Sequence, residues 1–118
     1  MRDLAIQAAG VLAIFAAVVH GILGETRVFS RAQIQPARIR LLVRLVWQCS
    51  AVAWAALGVL LFAVPYLRSD AARLWIIGAG VATFGFAAVA NAWATKGKHY
   101  GWMVLTLATA LAVVGAFA

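Results

Sequence analysis

Six polar or ionisable side chains stand out because they lie in or beside long apolar runs of the sequence: His20, Glu25, Arg44, Gln48, Asn91 and His99. Burying such groups away from water is costly unless they are paired or hydrogen-bonded. Imidazole and carboxylate groups can bind protons and divalent metals. His20, Glu25 and His99 are therefore candidates for a proton or metal site, with Arg44, Gln48 and Asn91 as possible lining residues.

Glu25 has two alternative roles. In a regular helix, His20 and Glu25 diverge by about 140° around the axis. If Gly24 ends the helix, as glycine often does, the chain can turn Glu25 back toward its neighbours. Glu25 then either pairs with Arg44 or Arg27 as a structural lock, which we favour, or forms a ligand site with both histidines.

Catalytic signatures are absent from the sequence. Its only acids are Asp3, Glu25 and Asp70, so no paired-carboxylate arrangement is expected. No Gly-x-Ser-x-Gly, phosphate-binding loop or dinucleotide fingerprint occurs. The single cysteine, Cys49, excludes an intramolecular disulfide and a multi-cysteine metal site. The sequence therefore assigns no catalytic residue and no cofactor, and it favours a non-enzymatic protein.

The elements that must position these side chains are long apolar segments. Of 118 residues, 66% are hydrophobic and 11% charged, against about 45–50% and about 25% in soluble domains. About 20 helical residues cross a bilayer core, and four stretches qualify, at about 4–23, 41–67, 74–94 and 100–118. The sequence predicts an all-α integral membrane four-helix bundle with up-and-down topology, and a single transmembrane domain over 1–118. The first apolar run exceeds the usual length in a cleaved signal peptide, so we expect a retained helix.

The basic residues indicate an orientation rather than a nucleic-acid partner. The net charge of +7 is concentrated between apolar runs. The predicted loop 25–40 with the start of the second helix, together with the loop near residue 97, holds seven Lys and Arg residues, and the opposite side holds three. The positive-inside rule places the basic loops in the cytoplasm and both termini outside.

This topology brings all six polar candidates to one end of the bundle. Trp47, Trp93, Tyr100 and Trp102 fall at the same level, where aromatic side chains normally serve as interface anchors. Trp54 lies deeper, and we expect it to pack. Small residues recur at helical spacing in every apolar stretch, which favours close helix packing or self-association in lipid.

Three motifs resemble those of a family of small, uncharacterised four-helix membrane proteins, mainly of alphaproteobacteria. A His-Ser-x-Leu-Gly-Glu motif corresponds to residues 20–25, an Arg-x-x-Trp-His motif to 44–48, and a basic Gly-x-His-x-Gly-Trp motif to 97–102. Two positions depart from the motifs, since Gly21 replaces a serine and Gln48 a histidine. The resemblance implies a bacterial inner-membrane protein but no established activity, and the loss of a histidine at position 48 makes a metal site less favourable.

The leading hypothesis is a self-associating membrane protein whose His/Glu polar site binds or translocates a proton or small cation. One alternative is a structural or accessory subunit of a larger membrane complex. Another is a membrane protein that binds haem or quinone. The expected partners are the lipid bilayer and other membrane proteins, with no nucleic acid.

Overall fold

Four α-helices contain most of the chain in the computed structural model, which describes residues 1–117. They are α1 (Arg2–Leu23), α2 (Ala37–Ala63), α3 (Asp70–Thr95) and α4 (Gly101–Phe117). A π-helical turn, Gly24–Val28, continues α1, and a short 3₁₀ turn, Val64–Tyr66, continues α2. The described residues contain no strand. The predicted all-α class and the four helices are confirmed.

Three of the helical segments are long and apolar enough to cross a membrane. They are Arg2–Val28, Ala37–Tyr66 and Asp70–Thr95, each counted with its helical extension where it has one. The fourth helix, Gly101–Phe117, is apolar but shorter, with 17 residues.

Two helices begin earlier than their apolar runs predict. The first residue of α2 is Ala37, directly after Pro36, which has an extended conformation. Proline is tolerated at a helix start because the first backbone N–H groups have no intrahelical acceptor. At α3 the Ser69 hydroxyl accepts a hydrogen bond from the Ala72 backbone N–H at 3.1 Å, so the helix begins at Asp70. A proline before α2 and a serine cap before α3, rather than the edge of the apolar run, therefore mark these boundaries.

The predicted basic loop over 25–40 is much shorter in the structure. Gly24 has helical dihedrals, φ −55° and ψ −51°, and the helical segment continues through it as the π turn, so the structure does not contain the alternative in which Gly24 ends the helix. The π turn and the early start of α2 leave only residues 29–36 between helical segments. Here the Phe29 carbonyl accepts a hydrogen bond from the Arg40 guanidinium, which ties this connection to α2.

Helix α1 is the centre of the fold and packs against both α2 and α4, while α3 packs mainly against α4. Neighbouring helices run antiparallel: Gly10 of α1 faces Gly58 of α2, and Gly21 lies beside Gln48. A Cβ atom on Gly10 would lie 2.6 Å from the Gly58 carbonyl oxygen. Glycine is therefore required for this close backbone approach. The core formed around α1 includes Ile6, Ala9, Ala13, Leu61, Phe84, Leu105 and Ala112.

Helices α2 and α3 touch each other only sparsely, although a short turn joins them. A shallow outer groove lies between them, lined by Trp54, Ala82, Phe86 and neighbouring residues of α3. The Leu61 side chain bridges the two helices where Gly80 leaves room for it. The bundle is thus closed through α1 and α4 and more open between α2 and α3.

The two ends of the bundle differ in polarity. The end with both chain termini, called the terminal end below, contains Arg73, whose guanidinium is buried. It donates a hydrogen bond to the Gly115 carbonyl at 2.8 Å and lies 3.5 Å from the Asp3 carboxylate. The other end, where α1 and α3 finish and α2 and α4 begin, is called the basic end. All six polar candidates lie there.

Candidate functional site: a polar cleft at the basic end

The His20 imidazole is held between two indole rings of α2. Its ring stacks on Trp47 at 4.3 Å with an interplanar angle of 8°, and on Trp54 at 4.4 Å with an angle of 29°. Its Nε2 atom lies 2.8 Å from the Ser50 hydroxyl. Trp47, Ser50 and Trp54 are three and four residues apart, so they lie on one face of α2. This face fixes both the position and the orientation of His20.

The hydrogen bonds around Ser50 assign the protons on His20. The Ser50 hydroxyl donates to the Trp47 carbonyl at 2.6 Å, so its single proton is used there. Its oxygen then accepts a hydrogen bond from His20, which places the imidazole proton on Nε2. The Nδ1 atom of the neutral imidazole is left as an acceptor.

Glu25 also binds α2, through residues other than those that contact His20. Its Oε2 atom accepts a hydrogen bond from Arg44 Nε at 2.8 Å, in an ion pair that is partly exposed. Its Oε1 atom accepts a hydrogen bond from Gln48 Nε2 at 3.2 Å. The structure therefore contains the pairing with Arg44, and it separates the carboxylate from His20 and His99.

Glu25 lies in the π turn that follows α1. The wider turn allows the Phe29 backbone N–H to bond to the Gly24 carbonyl at 2.8 Å. Gly24 is buried, and a Cβ atom there would overlap the Trp47 indole. The same indole donates a hydrogen bond from Nε1 to the His20 carbonyl at 2.8 Å. Thus Trp47 contacts the π turn and the His20 ring at once.

The two positions that depart from the motifs lie against each other. The Gln48 amide donates to the Gly21 carbonyl at 3.0 Å. A Cβ atom on Gly21 would lie 3.0 Å from Gln48 Oε1, which is closer than most real contacts of this kind. The glycine therefore makes room for the amide, and the two departures form one packing arrangement.

His99 and Asn91 come together at the junction of α3 and α4. The chain turns there with Lys96 and Gly97 in left-handed conformations, φ 54° and 74°. The Gly101 backbone N–H donates to His99 Nδ1 at 3.0 Å, so the neutral imidazole has its proton on Nε2. The Asn91 Oδ1 atom is buried and is the only buried side-chain N or O atom, among the described residues, with no hydrogen-bond partner.

His20, Asn91 and His99 line two adjacent spaces. The inner cavity, of about 60 Å³, lies among all four helices and is otherwise mostly apolar and aromatic. A larger outer cleft of about 450 Å³ has Arg27 and Arg31 in its lining. No acidic residue lines either space. The outer cleft, called the polar cleft below, combines guanidinium groups, the His99 N–H and the acceptor atoms of His20 and Asn91.

The six candidates therefore fall into two groups. His20, Asn91 and His99 line the polar cleft, whereas Glu25, Arg44 and Gln48 form the lock between α1 and α2. Within residues 1–117, no group of three or more His, Cys, Asp or Glu side chains is placed to hold a metal ion. The carboxylate of the proposed His20, Glu25 and His99 set is bound to Arg44 instead.

The four predicted anchors occupy different positions. Trp93 is 84% exposed and Tyr100 54%, as interface anchors would be. Trp102 donates a hydrogen bond from Nε1 to the Gly97 carbonyl at 3.0 Å. Trp47 is half-buried and belongs to the His20 environment. Trp54 packs, as expected, with its ring edge-on to Phe84 at 5.8 Å.

Sequence reasoning missed Ser50 and Arg31 as members of this region, and it named Arg27 only as an alternative partner of Glu25. The helical spacing of Trp47, Ser50 and Trp54 was the available signal for Ser50, because it marks one face with a polar group between two aromatic rings. Comparisons with family models, curated proteins and solved structures give no match for this chain. The resemblance to the alphaproteobacterial family therefore stays a prediction.

Proposed function

We propose that the chain is an integral membrane protein whose four helices all cross the bilayer. Every helix exposes large apolar side chains, including Phe15, Val52, Phe86 and Leu107. The shortest helix, α4, is about 26 Å long, and a bilayer core of about 30 Å can thin locally to match it. Contact with lipid explains these exposed apolar side chains better than contact with water does.

The proposed location is the bacterial inner membrane, with the basic end in the cytoplasm and both termini outside. The excess of seven Lys and Arg residues over three supports this orientation. Alkaline phosphatase fused to the C-terminus should be active in cells, and green fluorescent protein fused there should stay dark. The reverse pair of results would overturn the orientation.

We propose that the polar cleft binds the anionic head of an amphiphilic molecule in the membrane. The observation behind this is that the cleft contains Arg27, Arg31 and His99 and no acidic residue. Basic pockets between membrane helices on the cytoplasmic side suit lipid headgroups. The aromatic rings of Trp47 and Tyr100 offer an apolar wall to the adjoining part of such a molecule.

The other hypotheses receive less support. A small cation would meet two arginines in the cleft and no free carboxylate, since Glu25 is paired with Arg44. Translocation would also have to pass the apolar core beyond the inner cavity. As a haem ligand, His20 would have to work with both ring faces covered and Nε2 already hydrogen-bonded. An accessory role in a larger complex remains compatible with lipid binding.

The test is a lipid titration of the purified protein in detergent, followed by native mass spectrometry. Phosphatidylglycerol, an anionic lipid, should bind more tightly than phosphatidylcholine. Replacing both Arg27 and Arg31 by glutamine should remove about 1 kcal/mol per charge, which is about fivefold in affinity for each.

A matched control loses the same charge outside the cleft. Arg38→Gln combined with Lys98→Gln alters two basic residues that do not line the cleft. This variant should keep most of the preference for the anionic lipid. Equal losses in both double variants would show that binding follows total charge, and would overturn the proposed site.

A further inference from the structure

Asn91 is the polar group of the cleft that the rest of the protein leaves unpaired. Its Oδ1 atom is buried without a hydrogen-bond partner, while the side chain lines both the inner cavity and the outer cleft. A buried acceptor without a donor is unfavourable. The terminal torsion of asparagine is soft, so a modest rotation can turn its carbonyl toward a donor placed in the cleft.

The neighbouring groups do not supply that donor. Ser50 donates to the Trp47 carbonyl and Thr95 to the Asn91 backbone carbonyl. The His99 ring accepts from Gly101 through Nδ1 and lines the same cleft. A molecule in the cleft can therefore gain a hydrogen bond by donating to Asn91 Oδ1, and a second by accepting from His99.

We infer that the anionic head bound in the cleft carries a hydroxyl group beside its phosphate, as a phosphoglycerol head does. The phosphate faces Arg27 and Arg31, and the hydroxyl donates to Asn91. This inference rests on the proposed binding of an anionic amphiphile. The new element is the hydroxyl group, which would let the cleft distinguish one anionic headgroup from another.

The charge in the cleft decides between the possible donors. An ammonium group, as in phosphoethanolamine, also donates hydrogen bonds, but it would lie beside two arginines without any acid in the lining. A choline group has no N–H or O–H to donate. A neutral hydroxyl satisfies Asn91 without adding positive charge, so the cleft should prefer phosphoglycerol to both of these heads.

The experiment compares two lipids that have the same charge. Phosphatidylglycerol and phosphatidylmethanol each carry one negative charge, but only the first has free hydroxyl groups in its head. One net hydrogen bond corresponds to about a fivefold difference in affinity. Titration into the purified full-length protein, read by native mass spectrometry, should show phosphatidylglycerol binding about fivefold more tightly.

Two variants assign that difference to one side chain. In Asn91→Leu the two lipids should bind equally, while both still bind more tightly than phosphatidylcholine. In the matched control, Thr95→Val, the lost hydroxyl already bonds within its own helix, so the fivefold ratio should remain.

The possible failures are distinct. Equal binding of the two anionic lipids by the unmodified protein would overturn the hydroxyl inference and leave the anionic site standing. Binding no tighter than that of phosphatidylcholine would overturn the anionic site itself. A ratio that persists in Asn91→Leu would exclude Asn91 as the acceptor. The first comparison needs no variant, so it holds even if a substitution prevents folding.

Discussion

The terminal end and the basic end both contain arginine and acid, but they use them differently. At the terminal end, Arg73 is buried and bonds to Gly115 and Asp3. At the basic end, Glu25 is paired with Arg44, while Arg27 and Arg31 line an open cleft. The comparison teaches that the protein itself supplies partners for its buried arginine at one end, whereas at the other end it leaves two arginines facing an open cleft.

The largest effect should come from breaking the terminal end. Arg73→Ala would leave the Gly115 carbonyl without its donor and remove a buried cation whose hydrogen bond is charge-assisted. Hydrogen bonds to charged groups are worth about 1.5–3 kcal/mol, so we expect the free energy of unfolding to fall by about 2 kcal/mol. Unfolding of the purified protein in mixed detergent micelles, followed by circular dichroism, measures this change.

Arg68→Ala is the control for that variant. Arg68 precedes α3 and is exposed, so its removal should change the unfolding free energy by less than about 0.5 kcal/mol. Similar losses in both variants would mean that Arg73 acts through net charge and not through its bond to α4.

A smaller effect is expected when the His20 environment is changed. Ser50→Ala removes the acceptor of the imidazole N–H, and a neutral hydrogen bond contributes about 1 kcal/mol. Nitrogen NMR of labelled histidine should show His20 as the Nε2–H tautomer in the unmodified protein. In the variant, this tautomer should lose its dominance.

Cys49→Ala is the neighbouring control, since Cys49 is exposed, and it should leave the His20 spectrum unchanged. An Nδ1–H tautomer in the unmodified protein would contradict the assigned hydrogen bonds.

The smallest effect should come from the lock at the basic end. The Glu25 and Arg44 side chains are 38% and 44% exposed, and exposed ion pairs contribute about 0.2–1 kcal/mol. Glu25→Gln and Arg44→Gln, combined in a double-mutant cycle of unfolding free energies, should give a coupling in that range. The two variants should also leave binding of phosphatidylglycerol within about twofold, because neither residue lines the cleft. A much larger loss of binding would mean that the lock and the cleft act as one unit.

The fold was largely predictable because apolar stretches and basic loops are long-range patterns of composition. They indicated four helices and the gathering of polar residues at one end. The end of the first helical segment was not predictable in this way. Gly24 continues into a π turn and packs against the Trp47 indole, which is a contact between residues distant in sequence.

The sequence identified most of the polar residues of the candidate site, but not which of them lie together. Residue type marked His20, Asn91, His99 and Glu25 as unusual, but it did not show which of them would line the polar cleft. Glu25 pairs with Arg44, and the α3–α4 turn brings His99 beside Asn91. Arg73 looked like an ordinary loop charge in the sequence, and only the start of α3 at Asp70 places it inside a helix and buries it.

Trp54 has a further consequence, since it is the side chain that the inner cavity and the outer groove have in common. Its ring stacks on His20 and meets Phe84 edge-on. A single substitution at position 54 would therefore alter the cavity, the groove and the histidine stack together.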